Sequence, residues 1–158
     1  MFYAALKIIH LLAVVVWLGG MVFTHFFLRP AAASLLPAQR VALMHGVLGR
    51  FFTAVLWATI LVLLSGVSMI GRIVLQTVQS GAHFNLPLEW WTMAALGVFM
   101  MGIFGVIRFV LYPRLTRAFA CADWSAGAAA LVSIRRWVVV NLVLGVVIVV
   151  VTLLGGSS

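Results

Sequence analysis

An imidazole lies inside the first apolar run of the chain, Lys7-Ile-Ile-His10-Leu-Leu-Ala-Val-Val-Val-Trp17-Leu-Gly19-Gly20-Met21-Val-Phe-Thr24-His25. An ionisable side chain in such a run is costly. One that persists there faces a protein interior and binds, relays or pairs with something. On a helix turning about 100° per residue, Lys7, His10, Trp17, Met21, Thr24 and His25 fall within one arc of roughly 100°. That face is expected to point inward, with His10, His25 and Trp17 as candidate cofactor contacts. In the plainer alternative, His10 bonds a main-chain carbonyl or Asn141, and Trp17 and Met21 are packing.

Depth sorts the partners. With a membrane boundary near Lys7, Arg72 and Trp90, His10, Met69 and Met93 lie two or three residues below it on three different helices, and His83 sits in the loop above. A neutral imidazole with thioethers suits Cu(I), or the axial His/Met and bis-His ligation of haem iron. The candidate metal ligands are therefore His10, Met69, Met93 and His83. His25 is separated from His10 by about 22 Å of helix, and it lies about 10 Å deeper than His45, which reads as a solvated or headgroup residue. Two stacked haems would lack second ligands, whereas one haem b remains open. Arg108, about one turn inside the end of the third span, suits a carbonyl, a lipid phosphate or a haem propionate. Asn141, Gly145 and Thr152 form a small, polar stripe suited to close packing on the first helix.

These side chains must be held by membrane helices. Of 158 residues, 66% are hydrophobic and 8% charged, so the solvent around most of the chain is lipid. The formal charge of +8 comes from basic residues that punctuate apolar runs. A nucleic-acid binder would instead gather them on a solvated face. Cys121 is the only cysteine, which excludes an intrachain disulfide, a CxxC pair and a thiolate-rich zinc site.

A hydrocarbon core of about 30 Å needs roughly 20 apolar residues as helix. Four segments qualify, about residues 5–28, 51–71, 90–112 and 136–154. The first reads as a retained helix rather than a signal peptide, because it is too long and contains Lys7. Pro30 and Pro37 bracket the first connection, Gly81, Asn85 and Pro87 break the second, and the third contains Pro113. Asp123-Trp-Ser-Ala caps a fourth helix that begins near Trp124 and enters the membrane after Arg136. The expected fold is an all-α integral membrane protein, a four-helix antiparallel bundle forming a single transmembrane domain over residues 1–158. No internal repeat, low-complexity tract or soluble domain is apparent.

Arg29, Arg40 and Arg50 flank the first connection, and Arg114, Arg117, Arg135 and Arg136 the third, but Arg72 alone the second. The positive-inside rule places the first and third connections in the cytoplasm and both termini in the periplasm. Trp90, Trp91 and Trp137 fit interfacial anchors. The two acids, Glu89 and Asp123, both lie in connections, and no Ser-His-Asp set, HExxH, Walker loop or dinucleotide-binding glycine pattern appears. Any chemistry would be borrowed from a metal or haem, and whether the protein is an enzyme stays open.

His10 followed by Trp17, Gly19 and Gly20, then Arg29-Pro30, Asp123-Trp124, Ile134-Arg135-Arg136 and Asn141-Leu-Val-Leu-Gly145, together resemble the short, single-domain members of the CopD-type copper resistance membrane family. The resemblance covers nearly the whole chain and is strongest in the first and last spans. It implies a bacterial inner-membrane protein associated with copper handling, with His10 as a metal or haem ligand. The related HemJ-type protoporphyrinogen oxidases are similar in carrying a first-helix histidine with a tryptophan seven residues later, and they bind haem b. Many CopD-type chains have a histidine at the start of the third span, where this one has Trp90-Trp91-Thr92-Met93. HemJ-type chains place a second histidine further past the tryptophan than His25.

Three functions follow. The first is a CopD-like inner-membrane protein of copper handling, binding Cu(I) or haem b near the outer face. The second is a HemJ-like haem b oxidoreductase acting on a porphyrinogen or quinone. The third is a small accessory subunit of a respiratory membrane complex. The partners implied are the lipid bilayer and copper-handling or respiratory proteins, without nucleic acid; a homo-oligomer is compatible with each.

Overall fold

Each of the four apolar runs forms a long helical rod, and together they make an all-α membrane bundle. The computed structural model describes residues 2–80 and 88–155. The first rod comprises α1 (Phe2–Val22), a π-helical turn (Phe23–Leu28) and α2 (Arg29–Ala32). The second is α3 (Pro37–Gln79). The third comprises α4 (Leu88–Val106), a second π-helical turn (Ile107–Leu111) and α5 (Tyr112–Ala120), and the fourth is α6 (Trp124–Gly155).

Pro30 and Pro113 do not end their helices, contrary to the reading of both as parts of connections. Proline lacks an N–H, and its ring crowds the carbonyl four residues earlier. Here the turn before each proline widens to make room. Arg29 N–H bonds Thr24 O and Tyr112 N–H bonds Ile107 O, five residues back in each case. α3 likewise starts at Pro37 rather than near residue 51, because Arg40, His45 and Arg50 are compatible with helix although not with a hydrocarbon core.

The halves of the chain repeat one plan: a long helix, a π turn, one residue, a proline, a short helix and a second long helix. One offset carries Pro30 onto Pro113 and His25 onto Arg108. It also carries Trp17 onto Met100, Met21 onto Phe104 and Ala32 onto Leu115, every one of these last six buried. The repeat was not apparent in the sequence because the register recurs while the residue types do not.

α1 packs along α3 and α4 along α6, and α6 also touches α1 and α3. The core fills the middle of the bundle and the end bearing most of the arginines, called here the basic end. Phe104 sets its ring edge-on to Trp17 at 6.0 Å and to Phe52 at 6.2 Å, within the range for favourable aromatic pairs. Lipid tails give helices no hydrophobic reason to associate, so close contact decides. A Cβ on Gly20 would overlap the Phe51 ring, and one on Gly145 would lie 3.0 Å from Leu18. The outward faces remain apolar, as at Leu11, Leu12, Val143 and Leu153.

The connection from α5 to α6 is a tight helical stop. Asp123 N–H bonds Ala118 O at 2.9 Å, and Ala122 takes a left-handed φ of 53°, the position where glycine is usual. Asp123 Oδ1 then accepts from Ala126 N–H at 2.9 Å and from the Ser125 hydroxyl at 3.0 Å, the N-cap read from the sequence. Those bonds, Ala126 first, hold its carboxyl below the usual carboxylate range.

Candidate functional site

His10 lies half-buried on α1 and faces α3, where its Nδ1 is 2.9 Å from Ser65 Oγ. Ser65 is 2% exposed, and its hydroxyl donates to the main-chain carbonyl of Leu61, with Val62 O at 3.2 Å. With its proton committed there, Ser65 offers His10 a lone pair. The imidazole therefore donates through Nδ1–H and keeps the lone pair on Nε2. This is the arrangement by which a ligating histidine is oriented for a metal through its second nitrogen. Ser65 was not singled out in the sequence, where a serine in an apolar run reads as bonding its own helix.

Met69 follows Ser65 by one turn on the same face of α3 and is half-buried. The helix that packs along α1 thus presents a thioether one turn from the group that orients His10. Met93, which the repeat makes the counterpart of His10, lies half-buried on α4, whose main partner is α6. It belongs to the other helix pair. His83 lies outside the described residues. Trp17 is 4% exposed and spends its ring on Phe104 in the core.

An imidazole nitrogen and a thioether on packed neighbouring helices are a donor set suited to Cu(I). A Cβ on Gly66 would stand 3.6 Å from His10 Cε1, ordinary van der Waals contact, so α1 and α3 already touch at this level. Among the described residues, no group of three or more His, Cys, Asp or Glu converges on a metal position.

The remaining singled-out residues lie toward the basic end. His25 occupies the first π turn, half-buried, with its ring edge-on to Phe26 at 4.8 Å and its Nδ1 buried without a partner among the described residues. It lines a cavity of about 220 Å³ together with Thr24, Arg29, Arg40 and Arg135. That volume falls below the roughly 300 Å³ at which pockets for drug-sized ligands begin. Arg108 occupies the second π turn, its guanidinium 5.5 Å from the Tyr112 ring centroid and 5.8 Å from that of Phe109. Its Nε is buried without a hydrogen bond among the described residues, as are both amide atoms of Asn141, which is 1% exposed.

His45 is partly exposed and packs its ring against α5. Its ring stacks on Phe119 at 4.7 Å and on Tyr112 at 5.5 Å, while Nε2–H donates to Thr116 Oγ1 at 3.2 Å. The Tyr112 hydroxyl donates to His45 O at 3.2 Å. These contacts clamp α3 onto α5 and leave His45 well apart from His10 in function.

Compared with known protein families, residues 45–154 match the family described as Copper resistance protein D. No curated protein and no solved structure matches the chain. The matched stretch takes in Ser65, Met69 and Met93 and begins after the helix that carries His10.

Proposed function

The chain belongs to the copper resistance protein D family and is a multi-pass bacterial membrane protein of copper resistance, and from that premise we propose that it takes Cu(I) as cargo on His10 Nε2. The observation that carries this reading is the Ser65 hydrogen bond, which fixes the tautomer and leaves a ligating lone pair inside an apolar bundle. Met69, one turn from Ser65, supplies the soft second donor. The cluster of arginines at the far end supports an orientation with the His10 end outside the cytoplasm. Copper arriving from the periplasm then meets imidazole and thioether before the closed core.

Titration of the purified protein with Cu(I) against a chromogenic chelator tests this. The wild type is expected to hold one Cu(I) per chain. His10→Ala should bind at least about 100-fold more weakly, a loss as large as that seen when groups supporting a metal ligand are removed, with helicity unchanged. Equal affinity in the two proteins overturns the reading.

A further inference from the structure

We propose that the basic end of the bundle holds one anionic phospholipid, its phosphate among Arg29, Arg40 and Arg135 and an acyl chain in the groove beside α6. This site shares no residue with the copper position and stands independently of it.

Three arginines line one cavity of about 220 Å³ whose lining includes no Asp or Glu. Of the two acids in the chain, Asp123 is already engaged by Ala126 and Ser125, and Glu89 lies at the start of α4. Like charges gathered this way repel one another. A phosphate resolves that repulsion, and arginine matches its oxygens with paired N–H donors. The cavity walls are apolar, formed by Met44, Leu48, Leu131 and Val138, so the charges face a partly dry space where such bonds are stronger. His25 Nδ1, buried and unpartnered among the described residues, adds a polar group on the same lining. A copper cation is disfavoured here by the same three charges.

The second half of the ligand follows from the neighbouring groove. It is an open groove of about 880 Å³ that shares His25, Arg29, Val132 and Arg135 with the cavity and continues past Ser133 and Arg136 to Trp137, Val139 and Val140. A free phosphate has no use for the apolar side chains Val132, Trp137, Val139 and Val140 along this extension, but a lipid does. Trp137, 40% exposed, sits where tryptophan ordinarily meets headgroups. The first π turn contributes by placing His25 and Arg29 on one lining.

The test uses the purified full chain in detergent with equal amounts of phosphatidylglycerol and phosphatidylcholine of identical acyl chains, read by native mass spectrometry. The wild type is expected to retain one phosphatidylglycerol preferentially. Arg40→Gln with Arg135→Gln should cut that preference by about fivefold per arginine, the effect of one basic residue near an anionic surface. The control Arg114→Gln with Arg117→Gln removes equal charge from the same end outside the cavity and should leave the preference unchanged. Millimolar inorganic phosphate should not displace the lipid. The proposal is overturned if both lipids are retained equally, if both double variants lose the preference alike, or if inorganic phosphate binds and expels the lipid. Unchanged helicity in both double variants ties any loss to the site.

Discussion

One hydroxyl settles which nitrogen of His10 is free. Ser65 donates its own O–H to the carbonyl of Leu61 and so accepts from Nδ1–H. Removing it takes away the side-chain acceptor of Nδ1–H. In Ser65→Ala, Cu(I) affinity measured by chelator competition should fall about 10- to 100-fold while the fold persists. Unchanged affinity would detach Ser65 from the site. The sequence made His10 legible because lipid penalises an idle imidazole, and of the face expected to point inward Trp17, Met21 and Thr24 are buried, His10 and His25 half-buried and Lys7 exposed. It pointed to a main-chain carbonyl or Asn141 as the hydrogen-bond alternative; the ring meets the main chain of Val62 and, beside it, a serine on another helix, a pairing that only packing creates. Trp17 reads equally well as cofactor contact or core until its ring is seen against Phe104.

At the scale of elements, caps and prolines divide into the legible and the hidden. The Asp123 cap was written in Asp123-Trp-Ser-Ala and appears as read. Because its carboxyl is held below the usual carboxylate range in the folded chain, the cap contributes stability that is present above the unfolded value, about 3.9. That stability is lost as pH falls through the lower folded value. Asp123→Asn keeps a capping side chain without a titrating group. The difference in Tm between wild type and variant should be constant above about pH 5 and change on acidification below about pH 4. A difference that ignores pH would contradict the assignment. The prolines misled for a physical reason: Pro30 and Pro113 signal a break, but a π turn absorbs each one and the rod continues. Nothing in residue type distinguishes a kinked end from a widened turn. The two turns carry His25 and Arg108, so the ionisable groups sit where the backbone departs from α geometry.

For the molecule as a whole, hydrophobic run length alone yields four membrane helices and their antiparallel order. Their full extents and the twofold repetition of the plan were hidden, since helices run past the hydrocarbon and the repeat survives in register rather than in identity. The repeat sets the two ends of the bundle apart. One end pairs α1 with α3 and presents His10 with Ser65 and Met69 nearby; the other closes around an aromatic core and gathers arginines. A cation belongs at the first and an anion at the second. The central claim, that copper rests on the His10 imidazole, is tested most directly by copper K-edge X-ray absorption on the Cu(I)-loaded protein. The account predicts imidazole scattering together with a sulfur shell, the imidazole component absent in His10→Ala and the sulfur shell diminished in Met69→Leu. A wild-type spectrum without imidazole scattering, or one that His10→Ala leaves unaltered, would contradict it.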